Sequence, residues 1–170
     1  MSSDTTPARA PLFTDTLQIG IVVRDLDAAM RTYYEGYGIG PWEIYEMNPA
    51  TVTQMTKDER PSEHAMRVAL TMVGKVQWEL IEPLDDDNIY AEFLRDHGEG
   101  IHHIGVAVEN YTDTVDELHR TGHVLLQGGN LRGASYSYPS THTDLKLVTE
   151  IFDFPEGFSL TPDATYPPQA

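Results

Sequence analysis

Six residues near the start of the chain return at a fixed distance. Gln18-Ile19-Gly20-Ile21-Val22-Val23 lies over His103-Ile104-Gly105-Val106-Ala107-Val108 at an offset of 85, and a polar stretch and a helical segment follow each copy. Equivalent side chains returning at a constant offset mark a duplicated supersecondary unit. The first copy reads as a strand over 17–23, then a helix opened by Asp25-Leu26-Asp27, with Leu26, Met30 and Tyr33 at helical spacing and Gly36, Gly38 and Gly40 at its end. A strand over 42–47 follows, then a polar loop over 48–62, then two strands over 65–73 and 76–81 around Gly74-Lys75, a tight-hairpin signal. The second copy reads as a strand over 101–108, a helix over 112–120, a strand over 123–127, a glycine-rich bend, and strands over 134–138 and 145–152. The pattern is βαβββ twice, an α+β chain.

A length of 170 residues suits two such modules on a shared core and excludes two independent enzymes. The organisation expected is a disordered tail over 1–13, a first module over 14–84, a linker with a helix over 85–100, a second module over 101–155 and a frayed tail over 156–170, where Pro162, Pro167 and Pro168 discourage packing. With 40% hydrophobic residues the chain can bury a real core. A formal charge of -16 repels phosphate backbones and anionic leaflets, which argues against nucleic acid and membrane partners. Cysteine is absent, so disulfides, thiolate metal sites and a cysteine nucleophile are excluded. Met1 to Pro11 lacks the basic and apolar regions of a signal peptide, so a cytoplasmic location is expected.

Four polar residues stand out from this frame. Strand periodicity puts Gln18 on one face with Gly20 and Val22, and His103 on one face with Gly105 and Ala107. At the far end of each module Glu79-Leu80-Ile81-Glu82-Pro83 lies over Glu150-Ile151-Phe152-Asp153-Phe154-Pro155, at an offset of 71. Taken singly, a strand glutamate is a solvated edge residue and a strand histidine a hydrogen-bonded core residue. Delivered together from equivalent positions, Gln18, Glu79, His103 and Glu150 form an oxygen and nitrogen ligand set for a divalent cation, which would offset the cost of burying two carboxylates. The spacing Gly36-x-Gly38-x-Gly40 lacks the preceding strand of a dinucleotide fingerprint and reads as a helix end.

The segments Gly20-Ile21-Val22-Val23-Arg24-Asp25-Leu26-Asp27-Ala28-Ala29, Glu79-Leu80-Ile81-Glu82-Pro83-Leu84 and Gly98-Glu99-Gly100-Ile101-His102-His103-Ile104, with Pro139-Ser140-Thr141 ahead of the last strand, resemble the vicinal oxygen chelate superfamily. Among its members they look most like methylmalonyl-CoA epimerases. The resemblance implies two βαβββ modules in an open, cup-shaped mixed sheet around a divalent metal (cobalt, nickel, zinc, manganese or iron) held by Gln18, Glu79, His103 and Glu150. His102 then faces away, to pack or hydrogen-bond. The epimerases usually carry His where Gln18 stands, and a Gln/Glu/His/Glu set resembles that of some glyoxalase I enzymes.

What the family resemblance implies is an epimerase or isomerase that removes a proton next to an activated carbonyl, through an enediolate, with Glu150 as base and Glu79 as its counterpart. Glu63 and His64 are the candidates for a second acid or base. The substrate expected is a small molecule, an acyl-CoA thioester by resemblance, and the assembly a homodimer. Against CoA stands the shortage of cations: the chain has 11 Lys and Arg, among which Arg24, Arg67, Lys75, Arg132 and Lys146 could form a phosphate patch. The alternatives are a glyoxalase I-like lyase or an extradiol-type dioxygenase on the same fold, and a non-catalytic binding protein of the drug-sequestering kind. Dioxygenases of the superfamily use two histidines and a carboxylate, so Gln18 argues against that option.

Overall fold

The computed structural model describes residues 10–168. The elements in order are β1 (Asp15–Val22), α1 (Leu26–Tyr37), β2 (Trp42–Met47), β3 (Val52–Lys57), β4 (Arg60–Pro61), β5 (Met66–Val73), β6 (Val76–Pro83), α2 (Ile89–His97), β7 (Gly100–Ala107), α3 (Tyr111–Arg120), β8 (Leu125–Leu131), β9 (Ala134–Pro139), α4 (His142–Leu145), β10 (Val148–Asp153) and β11 (Ala164–Tyr166). One open mixed sheet carries all the strands in the order β11-β2-β5-β6-β1-β7-β10-β9-β8-β3-β4. The strands β2-β5-β6-β1 come from the first repeat and β7-β10-β9-β8 from the second. The repeats meet where β1 runs antiparallel to β7, and each closes through a parallel pair, β1 with β6 and β7 with β10.

The local chemistry follows the sequence closely in the helices. Asp25 caps α1 by accepting from the Ala28 amide at 2.8 Å, and Gly38 ends it in the left-handed region at φ 67, where a side chain would be strained. Gly36 lies inside the helix rather than at its end. Helix α1 packs Leu26 and Met30 against Ile21, Trp42, Ala69 and Leu80 on the back of the first repeat. Helix α3 places Leu118 against Val106 and Ile151 on the back of the second. The inner face buries Val22, Val68, Ile81, Tyr90, Tyr136 and Tyr138 in the largest cluster, with α2 resting across it. Among the described residues no helix is long and apolar enough to cross a membrane.

Three expectations need correction. The stretch 48–62 is not a loop: β3 and β4 form a hairpin that pairs with β8 of the other repeat. Gln54 sits at φ 53 and the register shifts between Thr53 and Thr56, so the buried residues Val52 and Met55 are three apart and the strand's period-2 signature is lost. The glycine-rich stretch after Gln127 is strand, not bend. Strand β8 runs through Gly128 and Gly129, and the turn comes at Arg132-Gly133.

The C-terminal segment is also not frayed. Asp163 donates its amide to Ile44 and accepts the Glu46 amide on its carboxylate, and β11 then pairs with β2. Prolines next to an edge strand remove no interior ladder bond, which is why they did not prevent packing. Of the expected N-terminal tail, Leu12 and Phe13 pack on the α3 cluster, while residues 1–9 lie outside the described residues, as do 169–170 of the C-terminal one.

Candidate metal centre

Four adjacent strands, β6-β1-β7-β10, carry the site in two cross-sheet rows. Register aligns Glu79, Gly20 and His103 in one row, and Gln18, Gly105 and Glu150 in the other, so each row holds two polar side chains with a glycine between them. The repeat's pseudo-two-fold exchanges Gln18 with His103 and Glu79 with Glu150. All four are buried, at 5%, 7%, 0% and 4% exposure for Gln18, Glu79, His103 and Glu150.

The four side chains converge on one point. The Nε2 atom of His103 lies 3.0 Å from Glu150 Oε2, 3.3 Å from Glu79 Oε2 and 3.5 Å from Gln18 Oε1. A single ring nitrogen cannot satisfy three oxygens, and Oε2 of both glutamates is buried without a well-formed hydrogen bond. Separations of this size match the edges of a coordination shell whose bonds are about 2.1 Å long. The donor set therefore fits a divalent cation, and Glu79, His103 and Glu150 each offer it an atom within 4.8 Å of the others. Gln18 is oriented for the same purpose: its amide nitrogen donates to Gln77 Oε1 at 2.9 Å, which turns its oxygen inward.

Electrostatics reflect two carboxylates crowded around a ring. Burial opposes charging of His103, but the Glu150 and Glu79 carboxylates outweigh it and push its pKa up to about 9. Burial raises the Glu150 carboxyl, with the Glu79 charge adding to the rise and His103 opposing it. Next along the chain, His102 faces away from the cluster. Burial, together with the charges of His103 and His97, lowers its pKa to about 3, so it is neutral. Its Nδ1 lies 3.1 Å from His103 Nδ1, so with His103 presenting Nε2 to the cluster, His103 donates and His102 accepts. The rings of Tyr90, Phe93 and Tyr138 hold His102 in place.

A cavity of about 340 Å³ opens above the cluster, with Gln18, Glu79 and Glu150 in its floor. Glu63 and His64 do not line it. Glu63 is exposed beside another depression, and His64 is buried, which lowers its pKa against the opposing charges of Asp85 and Asp87. Among the polar groups that sequence reasoning missed at the cavity are Glu43 and Tyr45 on β2, joined by a 2.9 Å hydrogen bond, and the phenols of Tyr90, Tyr136 and Tyr138. Alternation along β2 marks Glu43, Tyr45 and Met47 as one face. Nothing in the sequence says that this face looks toward the cluster.

Residues 17–138 match the sequence profile described as the Glyoxalase/Bleomycin resistance protein/Dioxygenase superfamily. No curated protein matches the chain by sequence. Among solved structures, methylmalonyl-CoA epimerase from Mycobacterium tuberculosis is 22% identical with a TM-score of 0.63, covering 86% of this chain and 92% of its own. A hypothetical protein from Bacillus halodurans C-125 is 20% identical with a TM-score of 0.65, covering 86% and 98%. The Streptomyces coelicolor methylmalonyl-CoA epimerase, in complex with 2-nitronate-propionyl-CoA, is 22% identical with a TM-score of 0.59, covering 82% and 96%.

Proposed function

The chain belongs to the Glyoxalase/Bleomycin resistance protein/Dioxygenase superfamily, and from that premise we propose that it is a metal-dependent isomerase or epimerase that moves a proton next to a substrate carbonyl. The observation that carries this reading is the pair of buried carboxylate oxygens, on Glu79 and Glu150, that face His103 Nε2 without hydrogen bonds at the floor of a cavity. Gln18, Glu79, His103 and Glu150 would hold the cation. A cation there supplies Lewis-acid polarisation of the substrate oxygen and offsets the negative charge that develops when the neighbouring carbon loses its proton.

The protein's own groups do the rest. Glu150 is the base: it lines the cavity, and burial makes it hold a proton more readily than an exposed carboxylate does. Glu79, its pseudo-symmetric counterpart in the cluster, is the group that delivers a different, solvent-derived proton to the same carbon, while the proton taken by Glu150 passes to solvent. The Tyr138 hydroxyl stands beside Glu150 and accepts from Tyr90 at 2.7 Å, so a fixed polar group faces the carboxylate. A glyoxalase I-like lyase is the second reading, favoured by the glutamine at position 18, and it uses the same proton transfer.

Solvent deuterium exchange tests the proposal. Methylmalonyl-CoA, the glutathione hemithioacetal of methylglyoxal and 2-hydroxyacetophenone are incubated in D2O with the protein and manganese, cobalt, nickel or zinc in turn. Metal-dependent exchange at the carbon next to the carbonyl, abolished by Glu150→Gln, is the expected result. Exchange that survives that substitution removes Glu150 as base, and a protein that takes up no cation and exchanges nothing is a binding protein instead.

A further inference from the structure

The cavity above the cluster is unusual in what it lacks. Among the described residues its charged lining is Glu43, Glu79 and Glu150, with no lysine or arginine. Its outer wall is aromatic: Phe152 and Phe154 stack with centroids 5.1 Å apart at 16°, and Phe154 meets Phe158 at 5.5 Å. Leu160 and Leu131 continue that wall. The segment that supplies Phe158 and Leu160 is held in place by β11 and by the pairing of Asp163 with β2, so the apolar wall belongs to the fold.

Besides the two glutamate oxygens of the cluster, one more polar group in this lining has no partner among the described residues. The Tyr136 hydroxyl is buried, at 8% exposure for the residue, and makes no hydrogen bond among the described residues, while the residue lines the cavity. Such a group costs about 1–3 kcal/mol when left unpaired, and a ligand oxygen would recover it. Its position is built by the backbone. A β-carbon at Gly129 would stand 2.8 Å from the Tyr136 oxygen and 2.9 Å from Val52 Cγ1, so only glycine leaves room for the phenol beneath the β3 hairpin. Burial and the charges of Glu150 and Glu79 keep the phenol protonated, hence a donor.

We propose that the substrate is a compact, uncharged carbonyl compound with an apolar, preferably aromatic, body, and that Tyr136 donates a hydrogen bond to one of its oxygens. With a divalent cation offsetting Glu79 and Glu150, Glu43 is the charge left in the lining, and it offers no partner to the several negative charges of a CoA thioester or the net single one of a glutathione adduct. Of the five cations singled out in the sequence, Arg67 pairs with Asp27 and Glu82, and Arg132 pairs with Asp163. None of Arg24, Arg67, Lys75, Arg132 or Lys146 lines the cavity. A volume of about 340 Å³ suits a ligand, or the reacting part of one, at the small end of the usual range. This inference rests on the metal-dependent reading only for the carbonyl group; the apolar body and Tyr136 stand on the cavity itself.

Calorimetric titration of the full chain, metal-free and manganese-loaded, tests it with benzohydroxamate, acetohydroxamate and methylmalonyl-CoA. The two hydroxamates share their oxygens and differ in the phenyl ring, so a preference of about tenfold or more for benzohydroxamate reads the aromatic wall alone. Tyr136→Phe is expected to weaken benzohydroxamate about fivefold while the thermal midpoint stays within a few degrees. Equal affinity for the two hydroxamates, or tighter binding of methylmalonyl-CoA than of benzohydroxamate, overturns the substrate class. Unchanged affinity in Tyr136→Phe overturns the role of that phenol. Manganese uptake, followed by electron paramagnetic resonance, separates the two readings. Phenyl preference without uptake sinks the metal-dependent function and keeps the pocket, and uptake without phenyl preference does the reverse.

Discussion

The imidazole of His103 occupies the space that a β-carbon on Gly20 would need. The two residues pair across β1 and β7, and the pseudo-symmetric pair repeats the device: a β-carbon at Gly105 would stand 2.8 Å from the Gln18 β-carbon and 3.1 Å from its Oε1. Each repeat thus supplies one polar side chain and one glycine, and each glycine makes room for the polar side chain of the other repeat. The cluster can assemble only where the repeats meet.

Gly20→Ala should therefore disable the cluster without removing any of its ligands. The added methyl falls on a ring that is fully buried, so His103 must swing away or the strands must part. We expect a loss of about 1–3 kcal/mol in stability and at least about tenfold weaker manganese binding. Gly36→Ala is the control: nothing lies near its β-carbon position inside α1, and alanine should add about 0.5–1 kcal/mol of stability. Thermal melts and manganese titration read both variants, and normal cation affinity in Gly20→Ala would refute the packing argument.

Cation affinity should rise with pH. In the cation-free protein His103 holds its proton up to about pH 9, because Glu150 and Glu79 flank it. A cation needs the neutral nitrogen and so must displace that proton. The apparent affinity should climb by about tenfold per pH unit from pH 6.5 toward 9 and then level off. Without a cation the sign for folding is opposite: a histidine whose folded pKa lies above its unfolded value contributes stability that is complete below about pH 6.5 and is lost as pH passes through about 9. Manganese titrations and melts across that range measure both slopes, and an affinity independent of pH would show that His103 is not a ligand.

Much of this site was legible because duplication is visible in residues whose chemistry is rare on strands. The matched positions of Gln18 and His103, and of Glu79 and Glu150, announced a shared face before any geometry was known, and register then explained why glycine follows two residues after each first-strand ligand. The cavity wall was not legible. Phe158 and Leu160 reach it from a proline-containing segment with no period, and β3 joins the other repeat through a strand whose alternation is broken at Gln54. Tyr136 and Gly129 became informative only as a pair, since a strand tyrosine and a strand glycine have no meaning apart.

Gln77 should matter to the cluster although it contributes no ligand. Its Oε1 accepts from the Gln18 amide at 2.9 Å and so decides which end of that amide faces His103. Gln77→Met keeps the volume and removes the acceptor. The Gln18 amide is then free to flip, and cation affinity should fall by about tenfold, with little change in melting. Gln77→Glu, which restores an acceptor, should recover binding. Equal affinity in wild type and Gln77→Met would show that the Gln18 amide is held by other means.

Asp163 ties the C-terminal segment to the first repeat and thereby holds the aromatic wall over the cluster. Its carboxylate accepts the Glu46 amide at 2.8 Å and lies 3.7 Å from Arg132, whose other nitrogen donates to Thr161 at 3.2 Å. The ion pair is solvent-exposed and worth little, so the amide bond carries most of the effect. Asp163→Ala should cost about 1 kcal/mol of stability. It should also let β11 open far more often, which limited proteolysis would detect as faster cleavage after Phe158. If Phe158 and Leu160 wall the cavity only while β11 is docked, benzohydroxamate affinity should drop in this variant while manganese affinity, set by residues of the central strands, does not. Parallel losses of both would mean that the C-terminal segment supports the cluster itself, and an unchanged hydroxamate affinity would mean that the wall stands without it.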